Sequence, residues 1–513
     1  MGSTRRTWQK AMPDFLQFLE ATLGHEVRLY REILGFPVFF VDLSQWKLRF
    51  SDRTPIIHVR ESDLESLDSR QLAQSLTDVV RTANLADRNP IVLVDGPGDD
   101  LRPQLKTSFL PILIIDQEAQ RAVQQSRRPT GELLDRLSAQ LELSLLVPYE
   151  TSRPVTGSRF FGREFEVRRI LQGSKTNFAI MGIRRIGKTS LMREVERQLK
   201  DQALEVGDED AHRRIIFMDC SAITSSGDFI REVVRHLRPQ EMTRLSHKQF
   251  PIYFPDFLHR MSRRFGGTLV FFLDEFDQLL AWHRNDQSLL NALRASSNMG
   301  HSRYIVGGFR EVSRAFSDLD SPLYNFARPV RLKEFSKEQT ASMVVGPLEK
   351  LRVSFEGRND VVNRIYAETA GQPNLIQFYC SILVDQLDRQ GTRQVAPDSL
   401  FDVYDNEDFR AFVLSTFMDN TTHLEKAIVF AVLAEYGANQ AFGIDAIDRV
   451  LEDRGLEAPL SDLDQACRNL ELAGSLTARG RQYRFTTPVF ARMLTENYDV
   501  DYLYRKVVQE GIW

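Results

Sequence analysis

The 513-residue chain is poor in cysteine. It holds three, Cys220, Cys380 and Cys467, far apart and without a CxxC pair. That excludes a disulfide framework and a cysteine-based zinc site, and it suits buried thiols in a reducing compartment. No apolar run approaches the length of a membrane-spanning helix, so the expectation is a cytoplasmic protein without a membrane partner. The N-terminus, Met1 to Met12 (MGSTRRTWQKAM), carries charges but no apolar core of the signal-peptide type. Charge of one sign is also scarce: 66 Lys and Arg against 70 Asp and Glu leave a net charge of −4. This balance argues against a protein that coats nucleic acid, while a local basic patch remains compatible with it. Low-complexity segments and repeats of solenoid period are missing. What is present, 42% hydrophobic and 27% charged residues, is enough to bury large cores in three or four globular domains.

One stretch organises the chain. Phe178 to Leu191 reads FAIMGIRRIGKTSL, a short apolar run followed by Gly182, four residues, then Gly187, Lys188 and Thr189. This is the G-x-x-x-x-G-K-[ST] spacing between a strand and a helix, the pattern that cradles phosphates. Glycines let successive N–H groups turn toward phosphate oxygens. Lys188 adds a point charge near the β- and γ-phosphates, and the Thr189 hydroxyl is placed to reach Mg²⁺. The helix beginning at Lys188 directs its positive end at the same anion. Downstream, Leu269 to Asp277 reads LVFFLDEFD, a buried parallel strand ending in carboxylates. Asp274 is the expected Mg²⁺ partner, and Glu275 is the residue to orient or deprotonate an attacking water.

Upstream, Pro13 to Leu34 has helical spacing closed by Gly35. Four apolar runs follow, at 37–42, 55–59, 90–95 and 111–116, with helical patterns such as Ser69 to Thr82 between the later ones. They predict a small open sheet with helices on its faces in an N-terminal domain, residues 1–150. Its acidic turn, Asp95, Asp99 and Asp100, reads either as a phospho-acceptor or metal pocket or as a solvated turn, the second being favoured. Leu145 to Ser158, with two prolines and small polar residues, reads as a linker. Phe160 to Glu166 (FFGREFE) opens the next domain, residues 158–335, whose later strands are expected at 213–219, 302–308 and 328–332 around a parallel sheet. From Ser336 the pattern turns helical. The capping sequence SKEQ starts one helix, and Gly371-Gln372-Pro373 separates two more in a lid, residues 336–405. After an acidic, aromatic connector (400–417), three helices and a hairpin around Gly480 make a winged-helix pattern within 420–498, and 499–513 reads as a tail.

These motifs together resemble the archaeal-type ATPases and their bacterial relatives in the STAND class of AAA+-like P-loop NTPases. GIRRIGKTSL resembles their phosphate loop with its paired arginines, here Arg184 and Arg185, and with Ser190 following the motif. FFGREFE resembles the segment lying by adenine and ribose, so Phe161, Gly162 and Arg163 take that place. LDEFD resembles the second acidic motif, and Gly371-Gln372-Pro373 the lid motif, giving Gln372 and Pro373 as nucleotide contacts. Phe309-Arg310 stands where related ATPases sense the γ-phosphate. Arg310 reads there either as that sensor or as a surface arginine.

The resemblance implies an α/β P-loop NTPase with helical lid, C-terminal winged helix and a small N-terminal α/β domain. It implies a slow, regulatory ATPase using ATP/ADP and Mg²⁺, with Glu275, Asp274 and Lys188 catalytic and Thr189 and Asp274 on the metal. Such proteins are switches in bacterial signalling or antiphage defence, with a protein partner or self-association through the terminal domains. The competing reading is an origin-recognition-like DNA-binding protein. The presumptive recognition helix carries Asp462, Asp464 and Glu471 against Arg468, which disfavours DNA, while the wing holds Arg479, Arg481 and Arg484.

Overall fold

The structure, a computed structural model, describes residues 12–50, 53–107, 110–208, 210–237, 250–282, 287–486 and 488–510. The N-terminal stretch read for a signal peptide lies, apart from Met12, outside them.

The first unit is a five-stranded sheet in chain order: β1 (Val27–Ile33), β2 (Phe36–Val41), β3 (Thr54–Val59), β4 (Ile91–Val94) and β5 (Leu113–Ile115). β1 to β3 pair antiparallel, β3 to β5 parallel. Alternation along β4 explains the layering. Val92 and Val94 pack with Leu72, Leu76 and Val80 of the helix Ser69–Thr82, while Ile91 and Leu93 face the opposite cluster with Phe15 and Leu19.

The single helix expected over 13–34 is corrected. A helix runs only over Asp14–Leu23, Gly24 ends it at φ +67°, and β1 follows. Val27, Leu29 and Ile33 fit a period of two as well as a helical one, and the left-handed stop at Gly24 decides between them. Gly35 turns the β1–β2 hairpin with Leu34 rather than closing a helix.

The second unit is a parallel sheet in the order β10-β6-β9-β8-β7, made of β6 (Phe178–Met181), β7 (Ile215–Asp219), β8 (Leu269–Asp274), β9 (Ser302–Gly308) and β10 (Arg328–Arg331). All four residues of β6 and all seven of β9 are buried, as strands covered on both faces require. β6, β9 and β8 are therefore neighbours, and their carboxyl ends gather the phosphate loop, Gly308 and Asp274 at one edge.

Three helices, Lys337–Lys350, Arg358–Thr369 and Pro373–Gln390, follow the sheet. The first has the expected capping box between Ser336 and Gln339, and the third takes Pro373 in its first turn. The connector expected over 400–417 is instead two helices, Ser399–Tyr404 and Glu407–Asn420, with Phe409, Val413 and Phe417 buried. Helices His423–Tyr436, Ile444–Asp453 and Leu460–Leu472 come next, then the antiparallel pair Leu476–Arg479 and Gln482–Phe485. A bridge between Phe442 and Tyr483 ties the hairpin to the turn after the first of these helices. Residues 499–510 are not a loose tail: Val500–Glu510 is a helix with Leu503, Tyr504 and Val507 buried.

The N-terminal unit docks on the 337–390 helices through its helices Pro129–Ser138 and Leu143–Leu146. The Leu143 and Ser144 N–H groups each donate to Asp388 at 2.9 Å, and Arg352 grips Asp135 through two 2.7 Å bonds. Leu143, Leu146 and Val147 share one apolar cluster with Met343, Leu348 and Leu383. The segment read as a linker is correspondingly ordered. Val147 and Val155 are buried, and Tyr149 donates to the Val344 carbonyl at 3.2 Å.

Candidate nucleotide site

The phosphate loop leaves β6 and turns into the helix Lys188–Glu205 through Gly187 at φ +102°, which a side chain would resist. Lys188 is buried, its ammonium donating to the carbonyls of Gly182 (2.9 Å) and Ile183 (3.0 Å). Burial lowers its pKa from the ordinary lysine value, and the carboxylates of Glu275, Asp274 and Asp277 act against that. The Thr189 hydroxyl donates to Asp274 at 2.5 Å. Glu275 follows at φ +50°, an uncommon backbone for a non-glycine residue, and its side chain lines the cavity. Asp277, the third carboxylate of the run, accepts the N–H groups of Phe309 (2.6 Å) and Val312 (3.0 Å) and so starts the helix Arg310–Ser317.

These groups open into a cavity of about 330 Å³. Its floor is Arg184 to Ser190. One wall comes from Phe160, Phe161 and Arg163, another from Glu150 to Val155, and the roof from Pro373, Asn374 and Gln377. Arg163 is buried, with Lys333 O and Glu166 as partners and the Phe335 ring 4.7 Å away. Burial lowers its pKa, against the pull of Glu166 and Glu334. Gly162, at φ +72°, passes so close to the Phe335 ring that a Cβ would stand 2.8 Å from it.

Of the expected contacts, Gln372 and Arg310 lie outside this cavity, and Arg185 lines it while bonded to the helix Glu407–Asn420. Gln372 stands at the N-cap position of the helix Pro373–Gln390 without a side-chain capping bond and lines a separate small pocket with Ile183, Thr369 and Asn420, so it does not converge with Arg163 and Lys188. The roof positions belong to Asn374 and Gln377, one turn apart; two amides three residues apart in the run PNLIQFYC were the available signal. Arg185 reaches the cavity edge yet is held by Asp419 (3.3 Å), Thr416 (3.2 Å) and the face of Phe412. The Arg184 N–H donates to Asn420 at 2.6 Å. Arg310 is neither a solvated surface arginine nor a lining residue of this cavity. It bonds Glu425 (2.5 Å) and the Asn420 carbonyl (2.8 Å). Gly307 explains the missing polar residue at the end of β9: a Cβ there would lie 2.6 Å from Met192 Sδ and 2.8 Å from Asp274 Oδ1.

In the N-terminal unit, Asp95 bonds the buried His58 at 2.7 Å, and Asp116 pairs with Arg102. Among the described residues no group of three or more His, Cys, Asp or Glu is placed to hold a metal ion. Cys220, Cys380 and Cys467 are buried free thiols, as expected.

The residues fit a nucleotide and its magnesium. The buried Arg163 Nε and Asn374 Nδ2, both on cavity-lining residues, have no hydrogen-bond partner. Thr189 and Asp274 offer one hydroxyl and one carboxylate, too few to cage a cation alone but the usual complement when phosphates and water supply the rest.

Residues 168–309 match the family model described as an AAA domain. By structure the chain is similar to the ORC2 protein of Aeropyrum pernix in its ADPNP-ADP complexes, with TM-score 0.50 and 13% identity over 67% of this chain and 92% of that one. The core has the fold of a P-loop NTPase. The chain is also similar to the Walker-type ATPase of Pyrococcus abyssi, with TM-score 0.48 and 17% identity over 68% of this chain and 100% of that one. No curated protein matches it in sequence. The matched segment of the NTPase core runs from the helix before the phosphate loop to the end of β9. It thus includes Lys188, Thr189, Asp274 and Glu275.

Proposed function

We propose that the protein is an ATP-binding and ATP-hydrolysing switch of STAND type, in which nucleotide state sets the arrangement of the flanking domains. The observation that carries this reading is the ring of contacts around the phosphate loop. The helix Glu407–Asn420 bonds Arg184 and Arg185 directly, Glu425 holds Arg310 after β9, and the lid and the segment 150–155 wall the same cavity. A phosphate that repositions the loop therefore acts on every neighbour at once.

Lys188 leaves its loop carbonyls for the phosphates, and Glu275 accepts the proton of the attacking water. Thr189 and Asp274 would hold a Mg²⁺ ion, which would supply positive charge against the negative charge of the phosphates. Residues 423–485, three helices and a hairpin, are read as the winged helix, and the N-terminal sheet as effector or adaptor. By resemblance the setting is signalling or defence. The test is light scattering and hydrogen exchange with ADP and with a slow-hydrolysing ATP analogue. Different mass or different protection of residues 407–436 is expected; identical behaviour in both nucleotides would leave a passive scaffold.

A second reading, DNA binding through the hairpin, draws on the exposed Arg479, Arg481 and Arg484. Against it, the helix Leu460–Leu472 is acidic, and its one arginine, Arg468, pairs with Asp464 at 2.6 Å.

A further inference from the structure

The segment Glu150 to Val155 crosses the cavity as a strap pinned at both ends. At one end the Glu150 N–H donates to Gln377 of the lid helix at 2.9 Å. At the other the Val155 N–H donates to Ser190 Oγ at 3.1 Å, and the Gly157 N–H to Glu194 at 2.7 Å, both acceptors lying on the phosphate-loop helix. The strap therefore passes over the first turn of that helix, two residues beyond Lys188. Pro154 limits its backbone freedom.

Five cationic side chains line the cavity: Arg153, Arg163, Arg184, Arg185 and Lys188. Arg163, Arg185 and Lys188 are engaged by the protein, as described above. Arg153 is exposed. Its only acidic neighbour on the strap, Glu150, is occupied by the Ser152 hydroxyl (2.6 Å), the Ser152 N–H (3.0 Å) and Arg159 (3.8 Å). Arg153 thus stands at the mouth of an anion site with its charge uncommitted, on a segment whose position is fixed.

We propose that Arg153 is a nucleotide-contacting residue that meets the polyphosphate chain from the wall of the cavity whose floor holds Lys188. A guanidinium there forms charge-assisted bonds to phosphate oxygens that no neutral residue replaces. Because the strap follows directly on the helix Leu143–Leu146 of the N-terminal unit, this contact also makes that unit's attachment depend on phosphate.

The inference rests on the nucleotide reading, so the test carries a control for each. The full chain, R153A and K188A are titrated calorimetrically with ATP, ADP and adenosine. R153A is expected to bind ATP and ADP about tenfold more weakly and adenosine as the wild type does, with the loss shrinking at high salt. Unchanged ATP affinity in R153A, with K188A impaired, overturns the role of Arg153 alone. An equal loss for adenosine also overturns it, since the strap would then act only as packing. ATP binding by K188A equal to wild type overturns the nucleotide reading itself.

Discussion

Replacing Gly371 by alanine tests whether the lid turn couples nucleotide to domain arrangement. Gly371 sits at φ +69°, and a Cβ built there lies 2.4 Å from the Phe335 carbonyl oxygen and 3.0 Å from the Tyr366 ring. Its own carbonyl accepts the Phe335 N–H at 2.7 Å, joining the lid turn to the chain leaving the sheet. The left-handed backbone alone disfavours an L-residue by roughly 1–2 kcal/mol. The overlap with a backbone atom is relieved only by moving the turn. That weakens the Phe335–Gly371 bond, whose net contribution is about 1 kcal/mol. The expected destabilisation is therefore about 3 kcal/mol, localised at the seam between lid and core.

Gly391 supplies the control. It ends the same lid helix at φ +65° with nothing within 4 Å of its Cβ position, so Gly391→Ala carries the backbone term without the overlap. The assay is hydrogen exchange over residues 337–485 with ATP and with ADP. Gly371→Ala should shrink the nucleotide-dependent difference while protection of β6, β8 and β9 persists, and Gly391→Ala should preserve it. Equal effects of the two substitutions, or a wild type with no nucleotide dependence, would refute the coupling.

Other expectations concern the chemistry and the C-terminal contacts. Glu275→Gln keeps the shape of the site but cannot take a proton. ATP binding should survive and turnover fall by about two or more orders of magnitude, measured by phosphate release. Glu425→Ala leaves Arg310 without its carboxylate beside an already unpartnered Nε. Breaking a buried pair of this kind typically costs about 3–5 kcal/mol, and limited proteolysis should then release residues 423–510 at lower urea than in wild type. An unchanged pattern would mean that Arg310 does not hold that region. The isolated 423–510 fragment should bind duplex DNA weakly and with steep salt dependence; a nanomolar, sequence-selective complex by fluorescence anisotropy would favour the DNA-binding reading.

The sequence by itself determined the local structure around the phosphate loop and the acidic strand end. GIRRIGKTSL and LVFFLDEFD are short segments in which residue type, spacing and flanking apolar runs suffice, because a phosphate loop and an acidic strand end are built from consecutive residues. The capping box at Ser336 and the proline at the start of the third lid helix were legible for the same reason. Where two periods competed over Val27 to Ile33, local pattern misled, and the left-handed Gly24 resolved it. Tertiary structure alone decided how distant segments meet. Asn374 and Gln377 replace Gln372 at the roof because the lid helix presents them one turn in from its cap. Arg185 and Arg310 bond Asp419 and Glu425, more than a hundred residues away, and no local spacing encodes such partners. The strap from Glu150 to Val155 has the composition of a linker, and its place beside Lys188 comes from bonds to Gln377 and Ser190, made only once the lid and the core have packed together.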